Sequence, residues 1–405
     1  MDLTVRPVVE SEFETFRAKI VRGFGGDPHA QDDPVSLRKI IELERTVAAF
    51  DGDEMVGTCG AFTFDVTVPG GTLPMGGTTI ITVQPTHRRR GVLRAMMTAH
   101  FEEIRGRGEP LAGLWASESA IYGRFGFGQA ADLYHVKLDA ATIEFRGDPP
   151  AGEVRLVEPA EARAKMEAVY ERVRPTRPGM YSRSEAWWTG RMMYDPEHRR
   201  DGRSSKRFAV YTGPAGVEGY AIYRQKEKWD EFPEGEIQVV EVMAATTDAH
   251  EALWRYLTRI DLFPKVEYWN LPVDDELPWR VVDARRVRRY LWDALWIRLI
   301  DIPRALVGRS YRAEGRIVLG VRDPFLPDND GRYLLEVGPG GAKCSRTTDD
   351  IDLELDVNVL GALYLGGQSI SPLARAGWVG GDPKSLATMD TLFAWERQPW
   401  CPEVF

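Results

Sequence analysis

Hydrophobic and polar positions follow two periods along the first third of the chain. Leu3 to Val9 reads as a strand, Glu12 to Phe24 has the three-and-four spacing of an amphipathic helix, and Leu37 to Leu43 predicts a shorter helix. Asp27 to Pro34 separates the two helices. Thr46 to Phe50 and Met55 to Val68 are strand-like runs joined through Asp51-Gly52-Asp53, an Asp-Gly hairpin signal, and Thr78 to Val83 adds a β-branched strand. Together they predict an antiparallel meander. Val92 to Ile104 then returns to helical spacing, Leu111 to Trp115 is a short apolar strand, and Ser119 to Phe125 fits one or two helical turns. The class is α+β.

The middle of the chain echoes this order. A strand near Val154 precedes a helix over Ala160 to Val173, and Arg207 to Tyr211 and Gly219 to Tyr223 read as a strand pair. From Ile237, IQVVEVMAATTDAHEALWRYLTRID repeats strand, polar turn and amphipathic helix, with Thr246-Thr247-Asp248-Ala249 at the turn. This order reads as a diverged duplicate of the first third. From Leu291 the pattern changes to a helix-like stretch, LWDALWIRLIDIPRAL, followed by strands at Gly315 to Val321, Gly331 to Val337 and Asp352 to Val357. Three domains are expected, at 1–147, 148–290 and 291–405.

Composition narrows the class. The chain has 405 residues, beyond one typical domain, with 43% hydrophobic and 28% charged positions, as in ordinary globular proteins. The start, MDLTVRPVVESEFETF, lacks the basic and apolar regions of a secretory signal, and the best apolar run, VNVLGALYLGG from Val357, is too short to span a membrane. A cytoplasmic protein without membrane contact is expected. Cys59, Cys344 and Cys401 lie far apart, which suits buried thiols better than a disulfide framework or a metal site. A net charge of -9 argues against nucleic acid, even with Arg285-Arg286-Val287-Arg288-Arg289, and suits cationic substrates.

One segment carries specific chemistry. In Thr82-Val83-Gln84-Pro85-Thr86-His87-Arg88-Arg89-Arg90-Gly91-Val92-Leu93 a strand, a proline turn, three arginines and a glycine lead into a helix. Helix N-terminal N–H groups are unpaired and carry about half a positive charge, so an anion binds there; Gly91 lets the backbone approach phosphate and the arginines add charge. Neither the Walker pattern nor the dinucleotide fingerprint is present in it, which leaves the pyrophosphate of coenzyme A as the better ligand.

With these residues in view, RRRGVL after a strand resembles the pyrophosphate loop of GNAT-type N-acetyltransferases, Q/R-x-x-G-x-G/A, from which Leu93 departs. PTHRRRGVLRAMM with ASESAIYGRFGFG, LWIRLIDIPRAL and DLELDVNVLGALYLGG resembles, across the whole chain, the enhanced-intracellular-survival (Eis) family. The resemblance implies a catalytic GNAT domain, a second GNAT-like domain without the cofactor loop, a sterol-carrier-like α/β domain, and a homo-oligomer, by family likeness a hexamer. It implies acetyl-CoA as donor, held by Arg88, Arg89, Arg90, Gly91 and Val92 and by the backbone of Ile81, Thr82 and Val83 with Ser117 nearby, and no metal. It further implies Tyr122, in the I-Y-G-R-F-G motif, as general acid and the terminal carboxylate of Phe405 as general base.

Acyl transfer to an amine needs both roles, because an ammonium with a pKa near ~10.4 must lose a proton and the leaving thiolate must gain one. A terminal carboxylate is a weak base, so desolvation or a relaying water is required. Phe24 and Trp400 with Asp27 and Glu403 are expected to form an anionic, aromatic-lined pocket for a polycationic amine of the aminoglycoside or polyamine type, or a lysine side chain. A second reading is a non-catalytic protein that senses acetyl-CoA or binds a lipid or partner.

Overall fold

The computed structural model describes residues 2–28 and 34–405, so the separator read at Asp27–Pro34 lies partly outside the described residues. The first third opens with β1 (Leu3–Arg6), α1 (Phe13–Gly23), α2 (Pro34–Ile40), β2 (Thr46–Asp51), β3 (Glu54–Val68) and β4 (Gly71–Val83). β2 and β3 form the hairpin expected at Asp51-Gly52-Asp53, and β3 and β4 form a second one, from Val68↔Gly71 to Gly57↔Val83, about a Pro69-Gly70 turn with Gly70 at φ 68. Then come α3 (Val92–Gly106), β5 (Leu111–Trp115), α4 (Ser119–Tyr122), β6 (Gly128–Gln129) and β7 (Asp132–Asp139). The alternation of β2 explains why helices cover both faces. Ala48 and Phe50 turn to the cluster holding Phe13, Phe16 and Ile20 of α1, while Val47 and Ala49 turn to Val92 and Met96 of α3.

The middle contains β8 (Glu153–Val157), α5 (Pro159–Val173), α6 (Glu185–Trp187), β9 (Arg207–Gly213), β10 (Gly216–Lys226), β11 (Glu236–Ala244), α7 (Thr247–Leu257), β12 (Lys265–Pro272) and α8 (Leu277–Arg280). The same two-faced logic recurs. Phe208 and Val210 join the residues of α5, whereas Ala209 and Tyr211 join Leu253 and Trp254 of α7. β13 (Arg288–Asp293), β14 (Leu295–Leu299) and α9 (Ile302–Val307) follow, then β15 (Gly315–Arg322), β16 (Gly331–Gly338), β17 (Gly341–Arg346), β18 (Leu353–Asp356), α10 (Val357–Leu363), α11 (Ile370–Arg375), β19 (Val379–Gly381) and α12 (Pro383–Phe393).

These strands form sheets ordered β1-β2-β3-β4-β5-β14-β6, β13-β7-β12-β11-β10-β9-β8 and β17-β16-β15-β18-β19. The stretch LWDALWIRL, expected as helix, is therefore two strands. All five residues of β14 are buried because the strand sits between β5 and β6, so its sequence is apolar on both faces apart from Arg298. The sheets also cut the chain elsewhere than at 147 and 290. β7 belongs to the second sheet, and β14, from the segment counted with the third domain, completes the first. An aromatic cluster of Phe64, Tyr181, Trp187 and Phe405 ties the three parts together, with ring centroids 4.3 Å apart for Phe64–Tyr181 and 5.1 Å for Phe64–Phe405. No described helix is long and apolar enough to cross a membrane.

Candidate active site

β4 and β5 run parallel, but only Met75–Gly77 pair with Leu111–Gly113. Past Gly77 the two strands part while β14 holds the far edge of β5. A register shift opposite Thr58–Gly60, with Ile80 at φ 50, marks a bulge in β4 at this point. The opening is a cavity of about 250 Å³. Thr78 to Ile81 form one wall, Leu114 to Ser117 the other, and Tyr122, Phe24, Val404 and Phe405 complete it. The β4 edge from Thr78 to Val83 has no strand pairing on the β5 side among the described residues, so its backbone can take an extended, amide-bearing ligand as an added strand. Thr82 offers backbone rather than side chain, since its hydroxyl meets that of Thr58 at 2.8 Å.

Below this edge lies the basic turn. Gly91 sits at φ 87 as the residue preceding α3, no side chain caps the helix, and a Cβ there would meet nothing within 4 Å. Buried Val92 anchors the first turn, which leaves its N–H groups facing outward. Arg88, Arg89 and Arg90 are exposed and pair with no acid among the described residues; Arg88 Nε donates to the Val83 carbonyl at 3.5 Å. Unpaired donors, a helix dipole and three uncommitted cations make an anion site. Leu93 packs half-buried beside Ile81, an apolar role that a glycine there would not fill.

Tyr122, at the end of α4, is 6% exposed. Burial raises its pKa above the ordinary phenol value, against a hydrogen bond with Ser117 that lowers it, so the hydroxyl holds its proton at neutral pH. Phe405 is buried by its ring, which lies edge-on to Phe64 and Tyr181, and thereby brings the end of the chain to the cavity wall.

The tail before Phe405 is fixed residue by residue. Trp400 N–H donates to the Pro178 carbonyl at 2.8 Å, Trp400 Nε1 donates to Asn270 Oδ1 at 3.1 Å, and Asn270 Nδ2 donates to the Cys401 carbonyl at 3.0 Å. Glu403 accepts from Trp187 Nε1 at 2.9 Å and from Arg191 Nε at 2.7 Å, and lies 3.4 Å from Arg183, which itself pairs with buried Glu241. Burial alone would raise the Glu403 pKa, but Arg191 and Arg183 outweigh it and the carboxylate is held below its usual range.

Two expectations are corrected by this network. Glu403 is spent on internal donors instead of lining the cavity, and Trp400 forms the wall of a different cleft. Of the expected acceptor residues, Phe24 is 60% exposed at the cavity and Asp27 is exposed outside its walls. Asn270, Arg183 and Arg191 were missed, because nothing in the sequence links them to a carboxylate near the chain end.

Comparison with known proteins finds three domain matches. Residues 4–130 and 179–299 each match models of a GNAT acetyltransferase domain, and 302–402 match a sterol carrier protein domain. The chain is 37% identical to the N-acetyltransferase Eis of Mycobacterium tuberculosis over 90% of both chains, and 40% identical to an uncharacterised N-acetyltransferase of Streptomyces avermitilis over all of both. The crystal structure of Eis1 from Mycobacterium abscessus superposes with a TM-score of 0.87 at 31% identity, over 99% of this chain and 100% of that one. A GCN5-related N-acetyltransferase from Anabaena variabilis shares the fold at 19% identity and a TM-score of 0.87, over 100% of each.

Proposed function

The chain belongs to the Eis family of GNAT N-acetyltransferases, and on that premise we propose that it acetylates primary amines of polycationic small molecules, or lysine side chains, by direct transfer from acetyl-CoA. The observation that carries the proposal is the meeting of Tyr122 and the chain end at Phe405 in one cavity, between a wall of unpaired strand edge and the parted end of β5. The exposed arginines and the bare N-terminus of α3 support coenzyme A binding, with Ile81, Thr82 and Val83 meeting the pantetheine and Arg88 to Val92 its pyrophosphate.

In the proposed mechanism the terminal carboxylate of Phe405 takes a proton from the acceptor ammonium, directly or through water. The freed amine nitrogen bonds to the thioester carbonyl carbon, the carbon–sulfur bond breaks, and the nitrogen sheds its second proton to leave the neutral amide. Tyr122 gives its hydroxyl proton to the sulfur as the thiolate leaves; a reference thiol pKa near ~8.5 lies below that of the phenol, so the transfer is uphill on its own and is completed when the tyrosinate takes up the second proton shed by the acylated nitrogen. Phe24 at the mouth offers an aromatic face to a cationic acceptor. A cytoplasmic homo-oligomer, by family likeness a hexamer, belongs to the same proposal. Reading the chain as a non-catalytic acetyl-CoA sensor is not favoured by named N-acetyltransferases along its whole length.

Thiol release measured with polyamines, aminoglycosides and lysine peptides tests the proposal. Tyr122→Phe should lose turnover by about a hundredfold or more while binding coenzyme A normally. Extending the chain by one glycine, which moves the carboxylate, should do the same, whereas Phe405→Leu keeps the carboxylate and much of the rate. Native turnover in Tyr122→Phe and in the extended chain would remove both assigned roles.

A further inference from the structure

The second sheet opens in the same way as the first. β11 and β12 pair only from Glu236↔Lys265 to Val239↔Tyr268, while β11 continues beside β10 to Ala244. The resulting cleft holds about 380 Å³. It is not built for coenzyme A: Thr246 Oγ1 accepts from the Ala249 N–H at 3.2 Å, so α7 is already capped, and no arginine stands at that turn.

Two buried donors line this cleft. Arg177, 5% exposed, gives Nη2 to Asp274 at 2.8 Å and leaves Nη1 without a partner. Tyr268, 1% exposed, has its hydroxyl oxygen beside the Val242 N–H and no acceptor for its own proton. Buried donors without acceptors are costly, and ligand oxygens that reached both would relieve that cost.

The charges around them favour an anion. Asp274 is held by Arg177 and by the Gln398 N–H at 3.1 Å, Asp275 by His250 at 3.1 Å, and Glu276 by Arg280 at 3.3 Å. Arg397, also at the cleft, meets the Thr176 hydroxyl at 3.3 Å and pairs with no acid among the described residues. Burial pulls the Arg177 guanidinium below its usual range, against Asp274, and a bound anion would oppose that pull. Val173, Val242, Trp254 and Leu271 supply an apolar lining.

We propose that this cleft binds a small carboxylate with an apolar body, its oxygens taken by Arg177 Nη1 and the Tyr268 hydroxyl. The proposal does not depend on the roles assigned to Tyr122 and Phe405. Trp400 forms part of the cleft wall, so an occupant sits against the start of the tail whose end lines the first cavity.

The test uses the full chain saturated with coenzyme A, so that the first cavity is filled. Hexanoate and benzoate, with hexylamine and hexanamide as matched controls, are titrated by calorimetry and thermal shift. A carboxylate should bind saturably with a Kd of about 1 mM or tighter and raise Tm. Arg177→Gln should weaken it by about tenfold or more, and Tyr268→Phe, which removes only an unpartnered hydroxyl, by about threefold or more. Should Arg177→Gln fail to fold, Tyr268→Phe decides. No carboxylate binding, equal binding of hexylamine or hexanamide, or unchanged affinity in Tyr268→Phe would overturn the assignment.

Discussion

Replacing Glu403 by Gln isolates what holds the end of the chain in place. The carboxylate is 16% exposed and contacts Trp187, Arg191 and Arg183, so the substitution removes charge-assisted bonds worth about 1.5–3 kcal/mol each. Stranding a buried charge would cost about 3–5 kcal/mol, but that upper figure does not apply. Arg183 keeps Glu241 at 2.5 Å, Arg191 is 32% exposed and rehydrates, and the new amide still accepts from Trp187. The net loss should be about 2–2.7 kcal/mol, which multiplies the undocked fraction of the tail by about 30- to 100-fold.

A carboxypeptidase that prefers aromatic termini reads this fraction directly as the rate at which Phe405 is removed, without reference to any catalytic role. The native tail should resist, and the variant should be clipped about 30- to 100-fold faster. The pH response has a definite sign. With the folded pKa of Glu403 depressed, its contribution is complete above the ordinary glutamate value of 4.5 and disappears as pH falls through the folded value, so native clipping accelerates only in acid. Equal clipping of the native protein and Glu403→Gln at neutral pH would refute the reasoning.

His100 is buried and neutral, joined to the Thr78 hydroxyl at 2.9 Å, with its pKa pushed down from 6.5 to about 3 by burial and then by Arg45. The unfolded chain binds this proton first, so stability should fall by about 1.4 kcal/mol per pH unit between those values. His100→Gln should flatten that slope in denaturant titrations. Gly91→Ala places a Cβ at φ 87 and should cost about 1–2 kcal/mol in urea unfolding while raising the KM for acetyl-CoA; native values for both would sink the account of the turn. Arg298, fully buried, joins β14 to Asp323 of the third domain at 2.5 Å, and Arg298→Met should lower unfolding free energy by about 3–5 kcal/mol, checked in the same titration.

Local chemistry was legible in the sequence. The strand, basic turn and glycine before α3 predict their own geometry because each residue acts on its neighbours, and the same holds for the Asp51-Gly52-Asp53 hairpin. β14 was misread because Leu295 to Leu299 is buried on every side, and a run that is apolar but for Arg298, without alternation, does not distinguish strand from helix. Glu403 and Trp400 were placed in the acceptor pocket because an acid and an aromatic ring complement a polycationic amine. Their real partners, Arg183, Arg191 and Asn270, come from other parts of the chain. Phe24 lines the cavity, and the Phe405 ring packs against Phe64.

The insertion of β14 between β5 and β6 sets a timetable for biosynthesis. As the polypeptide leaves the ribosome, β1 to β5 emerge with the edge of β5 open until Leu295 to Leu299 arrive. An open edge of this kind pairs readily with another chain, and contacts between such distant segments form slowly. The nascent N-terminal part is thus a natural client for chaperones, and a fragment ending near Ala130 should precipitate unless a peptide carrying Leu295 to Leu299 is supplied in trans.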